Sequence, residues 1–394
     1  MRFEDVRARE ARHFLPVVNR MPVALVEGRG SRVRDIEGRE YVDLTAGWGV
    51  TSIGHCHPEL VRAVSAQAGR LMQTTNWFYT LPQLDLVEAL DEITPPELSR
   101  AFLVNSGTEA VEGALKLALR ATGRTKFVST RGSFHGRTLG ALGIIGQEKH
   151  REPYRAILRE PILVPFGDTE AARAAIDGDT AAFVVEPIQG EGGVNVPEPG
   201  YLAALQDRCT EVGALLVLDE VQTGIGRTGR MLALEHEGVV PDVLTLGKGL
   251  GGGFPVAAFV CTEAVAQTVH KGDHGGTYVG NPLAAAAAHT TLRVVRGEKL
   301  PERAEALGEK VLARLRRFAA EHPQRIRAVR GRGLLVGAVL ADPEQAAGLP
   351  MRAAAEGVLV NVTAGDVVRL FPALNIPEED LFPALDTLLG LIAG

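Results

Sequence analysis

Between Phe102 and Cys261 the chain alternates two lengths of apolar pattern, and this alternation limits the fold more than any other feature. Seven strand-length apolar runs occupy 102–104, 126–129, 162–164, 181–186, 215–219, 243–246 and 256–261. Helix-length amphipathic segments at 109–121, 169–176 and 199–212 lie between several of them. Runs that are apolar throughout are buried on both faces, and such strands joined through helices form a mostly parallel sheet covered on both sides. The spacing therefore predicts an α/β fold. In such sheets ligands gather at the carboxyl ends of the strands. The polar residues delivered there are Asn105, Ser106, Glu186, Asp219, Glu220 and Lys248, on different strands but at one edge.

The flanks follow another rhythm. Residues 1 to about 20 read as an amphipathic helix or arm ending near Pro16, and Val23 to Leu44 as short strands with a turn at Glu37-Gly38. The stretch TAGWGVTSIGHCHPEL is loop-rich and is expected to be functional. Helices are expected at 58–71, 81–93, 282–297 and 301–322. From about 325 short strands and helices alternate as α+β, which predicts a second, small domain sharing a lobe with the N-terminal strands. At 394 residues the chain exceeds one typical core. The expected division is 1–50 for the arm and small-domain strands, 51–285 for the large domain and 286–394 for the C-terminal small domain.

Charge and cysteine content exclude several function classes. A net charge of −6 gives no basic surface for nucleic acid or an anionic membrane. Cys56, Cys209 and Cys261 share no CxxC, so neither a disulfide framework nor a zinc site is expected. No apolar run resembles a signal peptide or is long enough to span a bilayer, which makes the cytoplasm the default location.

Five segments carry residues with chemical capacity. In VLTLGKGLGGGFP a buried strand ends and Lys248 follows between glycines. A lysine in partly apolar surroundings loses its proton readily and becomes a nucleophile, most often toward an aldehyde such as pyridoxal phosphate. The alternative is a solvated lysine in a glycine-rich loop. In NSGTE a strand end is followed by a helix start, where Ser106, Gly107 and Thr108 form either an anion site or an ordinary N-cap. In LLVLDEVQ a carboxylate, Asp219, ends a buried strand and needs a partner. A protonated pyridine nitrogen suits it; a metal held with Glu220 is the weaker reading. In GSFHGRT, Phe134 and His135 can stack on a planar ring and Arg137 can fork a carboxylate. In EPIQGEGG an acid, Glu186, ends another strand. Arg369 in VVRLF reads as a strand-edge charge unless it pairs with Glu186 or a substrate carboxylate, and Thr277 in GGTYVGNP can donate to a phosphate.

Together these segments resemble the class III, fold-type I aminotransferases that use pyridoxal 5′-phosphate. NSGTEA, FHGRT, EPIQGEGG, LDEVQTGIGRTG and TLGKGLGGGFP occur in family order, and the likeness runs from VRDIEGREYVDL to NVTAGDVVRLFPAL. The resemblance implies a large domain with a mostly parallel seven-stranded sheet, a small α+β domain, and a homodimer with shared active sites. It implies that Lys248 joins the cofactor's aldehyde and then shuttles a proton, and that Asp219 pairs with the pyridine nitrogen. By the same resemblance Gln222 bonds the phenolic oxygen, and Phe134, with His135 beside it, packs on the ring. Ser106, Gly107 and Thr108 hold the phosphate, with Thr277 added from the other subunit. Arg137 and Arg369 would hold substrate carboxylates, and Glu186 would pair with Arg369 while an ω-amino donor is bound, releasing it for 2-oxoglutarate. SIGHCHPEL, NWFYT and NVTAGDVVRL look most like the acetylornithine-type members, which implies transfer of the ω-amino group of N-acetylornithine or a related N-acylated diamino acid to 2-oxoglutarate. Other ω-amino donors, or an aminomutase or racemase of the same fold, are the alternatives. No metal is implied. The chain departs from that subgroup at Trp48, which should line the substrate pocket, at Val111, at Gly247 and Gly249, and at FPAL.

Overall fold

The computed structural model describes all residues from Met1 to Gly394. The central sheet has seven strands in the spatial order Arg100–Val104, Ala257–Cys261, Val243–Leu246, Leu215–Asp219, Thr180–Val185, Lys126–Thr130 and Ile162–Val164. Ala257–Cys261 runs antiparallel to both of its neighbours, and the other pairings in the sheet are parallel. Every run expected from the sequence is a strand of this sheet. Period-two alternation divides its faces: Leu216, Leu218, Leu244 and Leu246 enter one core, and Leu215, Val217 and Val243 enter the other. The helix Gly107–Thr122 closes the second face with Ala110, Val111 and Ala114. Gly113 lets it approach, since a Cβ there would lie 2.2 Å from the Phe259 ring. Val111 is thus packing in an apolar core.

Four C-terminal strand segments form a second sheet, ordered Ile326–Arg332, Leu335–Leu340, Val367–Leu370 and Asn361–Thr363. The helices Leu300–Glu321, Pro343–Ala355 and Glu378–Ala393 accompany it. The N-terminal strands Leu25–Arg29, Arg32–Asp35 and Glu40–Asp43 form a third sheet, and Val358–Leu359 joins it parallel to Glu40–Asp43. The first and last thirds of the chain therefore share backbone hydrogen bonds, Val42 N–H to Gly357 O and Leu44 N–H to Leu359 O, both at 2.9 Å. The core that holds Leu218 and Leu244 also holds Leu307, Val336, Val368 and Leu385, so one apolar interior runs from the large sheet into this lobe.

Local boundaries differ modestly from expectation. The N-terminal helix covers Phe3–His13, and the helices expected at 58–71 and 81–93 stop at Ala68 and Asp91. After Asp43 the chain makes a left-handed turn, with positive φ at Ala46 (44°), Gly47 (58°), Trp48 (61°) and Gly49 (79°). A tryptophan in that region is strained by roughly 1–2 kcal/mol. Asp43 holds the turn by accepting from the Thr45 amide at 2.8 Å and its hydroxyl at 2.7 Å. No helix is long and apolar enough to cross a membrane.

Candidate active site

The carboxyl ends of the parallel strands meet the small lobe at a cleft of about 880 Å³. Trp48, Phe134, Arg137, His150, Glu191 and Lys248 are among its lining residues. Lys248 stands one residue beyond Val243–Leu246, after Gly247, with φ of 42°. Gly247 lies against the helix start: a Cβ there would be 3.5 Å from Gly107 Cα and 3.3 Å from Val221. Burial pushes the Lys248 amine below the ordinary lysine value; Glu191 opposes that and Arg369 adds to it. A buried amine with this bias is a nucleophile for an aldehyde.

Asp219 ends the adjacent strand, in register with Thr245. Its Oδ1 accepts from Thr245 Oγ1 at 3.0 Å and from the Val221 amide at 3.1 Å. Its Oδ2 meets His135 Nδ1 at 2.7 Å. The His135 ring is fully buried behind the carboxylate, with Nε2 3.3 Å from Ser129 Oγ. The expectation that His135 shares a stacking face with Phe134 is corrected here. Adjacent residues of a non-helical segment point apart, so Phe134 lines the cleft while His135 turns inward to Asp219. Burial alone would lower the His135 pKa, but the bond and charge of Asp219 outweigh it and raise it. The pair fixes the direction of the Asp219 carboxylate under the cleft floor. Glu220 turns elsewhere and accepts from the Ala233 and Leu234 amides at 2.6 and 2.7 Å. It does not form a metal-binding pair with Asp219.

The helix Gly107–Thr122 begins with a full capping box. Glu109 accepts from the Asn105 and Ser106 amides at 2.7 and 3.0 Å, and Ser106 Oγ accepts from the Glu109 amide at 3.4 Å. The N-cap reading of NSGTE is observed: the cap satisfies its own donors, and the Gly107 and Thr108 amides stand at the positive end of a 16-residue helix. Ser106 is committed to the cap. Thr108 Oγ1 is 2.7 Å from Thr138 Oγ1. Gly107 has no room for a side chain, because a Cβ would lie 2.6 Å from Val221.

Arg369 stands between Gly337 and Asn361 in the second sheet, with no solvent exposure, so it is not an edge charge. Its Nη1 donates to Glu191 Oε1 at 2.6 Å and to Gln222 Oε1 at 3.0 Å, while Nη2 has no partner. The expected partner, Glu186, is elsewhere. Its two oxygens accept from the Phe134 amide at 3.0 Å and the Gly190 amide at 3.1 Å, and burial pushes its pKa up to about 7. The reason is local geometry. Glu186 leaves a strand end pointing into the protein, whereas Glu191 sits between Gly190 and Gly192 at the tip of the turn and projects into the cleft. The two flanking glycines were the available signal for Glu191. Burial opposes the Glu191 charge, yet Arg369 and then Lys248 hold its pKa below the ordinary value.

Arg137 is exposed in the cleft, 3.2 Å from His150 Nε2, with its guanidinium 5.5 Å from the Phe134 ring centre. Burial and then the Arg137 charge lower the His150 pKa, which leaves the imidazole neutral to accept that bond. Thr277 does not line this cleft; it is exposed, and its carbonyl accepts from Gln73 Nε2 at 2.6 Å. Trp48 lines the cleft as expected.

The residues present fit an aldehyde-bearing, phosphorylated aromatic cofactor. A buried amine, a buried carboxylate one strand away and the free amides of a long helix converge, and Arg369 keeps an unsatisfied buried donor for a further acid.

Comparison with known proteins gives the same direction. The family model for aminotransferase class-III matches residues 15–392. The chain is 47% identical over 381 residues to the acetylornithine aminotransferase of Methanopyrus kandleri, covering 97% of each protein. It is 45% identical to that of Mycobacterium leprae, covering 94% of this chain and 91% of the relative. Among solved structures, ornithine aminotransferase from Toxoplasma gondii superposes with a TM-score of 0.95 at 35% identity, covering 100% of this chain and 95% of that one. Acetylornithine aminotransferase from Elizabethkingia anophelis gives 0.87 at 33% identity, covering 100% and 99%.

Proposed function

This chain belongs to the class III aminotransferases, and from that premise we propose that it moves the ω-amino group of N-acetylornithine, or a related N-acylated diamino acid, to 2-oxoglutarate, giving the semialdehyde and glutamate. The observation that carries the reading is the Arg369–Glu191 pair, whose Glu191 lines the same cleft as Lys248 and Arg137. Such a transferase must accept two partners in turn. One, 2-oxoglutarate, brings a second carboxylate close to the reacting carbon; the other brings its carboxylate at the far end of a longer chain. A fixed arginine that a carboxylate neutralises for one partner and releases for the other serves both. Glu191 takes the role expected of Glu186.

Pyridoxal 5′-phosphate, when bound, supplies an aldehyde that accepts the amino group and a ring that withdraws electrons from the carbon losing it. The residues that would hold it are Lys248 at the aldehyde, Asp219 at the ring nitrogen, Gln222 at the phenolic oxygen, Phe134 against the ring, and Gly107 and Thr108 at the phosphate. The Lys248 amine, once free, takes the proton from the amine-bearing carbon of the donor. His135 and Thr245 hold Asp219 in its orientation. Arg137 takes the distant carboxylate of the donor. Trp48 forms the wall along the donor chain. Thr277 lies outside its own cleft, which supports a homodimer whose second copy supplies it. A cytoplasmic location accords with this chemistry.

A donor screen with 2-oxoglutarate, read as glutamate formed, tests the reading. N-acetylornithine is expected to give the highest kcat/KM. Glutamate from ornithine or 4-aminobutyrate alone would overturn the donor assignment. Ornithine itself is the second reading, favoured by the likeness to the Toxoplasma gondii structure.

A further inference from the structure

Arg227 is fully buried, and no carboxylate pairs with it. Its Nη1 donates to Leu334 O at 3.0 Å and to Pro372 O at 2.7 Å, and its own carbonyl accepts from the Leu334 amide at 3.0 Å. Its Nη2 has no partner. Its guanidinium carbon lies 4.4 Å from the centre of the Phe371 ring. An apolar side chain of similar volume would fill this space without the desolvation cost of a buried cation. What arginine adds is one planar nitrogen, Nη1, that donates to both carbonyls, and a flat guanidinium face that packs on a ring.

The same ring supports the substrate side. The Arg369 guanidinium lies 5.3 Å from the Phe371 centre. Gly49, next to Trp48, packs so tightly on the ring that a Cβ would be 2.5 Å from it. The Phe371 amide donates to Leu44 O at 2.8 Å, and the Leu374 amide to Ser52 O at 2.7 Å. Ser52 Oγ in turn donates to Gly249 O at 2.8 Å, beside Lys248. One aromatic ring thus carries the arginine fork, the turn that bears Trp48 and the Arg227 guanidinium.

We propose that Arg227 is a positioning residue for substrate recognition: it fixes the Phe371 ring and, through it, the depth and direction of the Arg369 fork. Carboxylate affinity then depends on a residue that touches no substrate. The inference rests on the reading of Arg369 as a carboxylate fork.

The test titrates glutarate, an unreactive dicarboxylate, into the cofactor-loaded protein by calorimetry. The variants are Arg227→Lys, Phe371→Leu, the double variant and Arg369→Ala. A lysine amine can still donate to these carbonyls but has no planar face to lay on the ring, and leucine removes the ring while keeping an apolar contact. Each single change is expected to weaken glutarate about tenfold, and the double variant should be no weaker than the worse single one, because both act through one element. KM for 2-oxoglutarate should rise in step while kcat stays within about twofold. Unchanged glutarate affinity in Phe371→Leu overturns the proposal even if Arg227→Lys fails to fold. Additive losses in the double variant overturn it as well. Dependence on Arg369 without dependence on Phe371 removes this inference alone. Binding indifferent to Arg369→Ala removes the carboxylate reading and the inference with it.

Discussion

Arg369 and Glu191 meet at 2.6 Å, the arginine wholly buried in a sheet and the glutamate at the tip of a glycine-flanked turn. One partner is fixed and the other can swing. That asymmetry makes Glu191 the moving part of the proposed switch. Its carbonyl is held by Thr363 Oγ1 at 2.7 Å, so its motion is confined to the side chain.

Glu191→Ala should therefore leave Arg369 permanently free. Glutamate and 2-oxoglutarate then gain, and the ω-amino donor loses. The ratio of kcat/KM for glutamate to that for N-acetylornithine is expected to rise about tenfold, the scale of one charge-assisted hydrogen bond. An unchanged ratio in steady-state kinetics would rule out the switch.

Lys248→Ala removes the buried amine at the centre of the cleft. Turnover should vanish while thermal unfolding stays cooperative, because burying that amine costs stability and its loss relieves the cost. Measurable steady-state activity in this variant would refute the role assigned to Lys248.

Glu186→Ala should act on stability rather than on substrate preference. The change leaves the Phe134 and Gly190 amides without acceptors, at a cost of about 1–3 kcal/mol. It also alters the pH dependence. The folded pKa of Glu186 is raised from 4.5 to about 7, so the folded state binds more protons across that interval. Its contribution is fully present below about 4.5 and is lost as pH rises toward about 7. Urea unfolding at pH 5 and pH 7 should show a smaller fall for the variant than for the parent. An identical fall in both would disprove the assignment.

Gly49→Ala tests the seat of the Trp48 turn. The new Cβ would meet the Phe371 ring at 2.5 Å in a backbone conformation with φ of 79°. A loss of about 2–3 kcal/mol is expected from overpacking and strain. A melting temperature equal to that of the parent would show that the ring is free to move.

The sequence by itself determined the sheet. Each apolar run from Phe102 to Cys261 became a strand, because a run apolar on both faces has no other stable place than between two layers. It also determined which residues reach the sheet edge at the cleft, since a residue at a strand's carboxyl end is placed there by the strand itself, as with Asp219 and, one residue further on, Lys248. It did not determine side-chain direction at turns. Glu186 and Glu191 are both acids within one motif, and only the folded turn showed which one projects into the cleft and which one binds backbone. His135 and Phe134 were separated in the same way, by a loop whose backbone no periodicity governs. Arg369 looked like an edge charge because its covering strand, Asn361–Thr363, and its facing glycine, Gly337, lie elsewhere in the chain. Arg227 was silent for a related reason: its partners Leu334, Phe371 and Pro372 lie far along the chain, in the C-terminal segment. Local pattern sets what an element is; only packing between distant segments sets what its side chains touch.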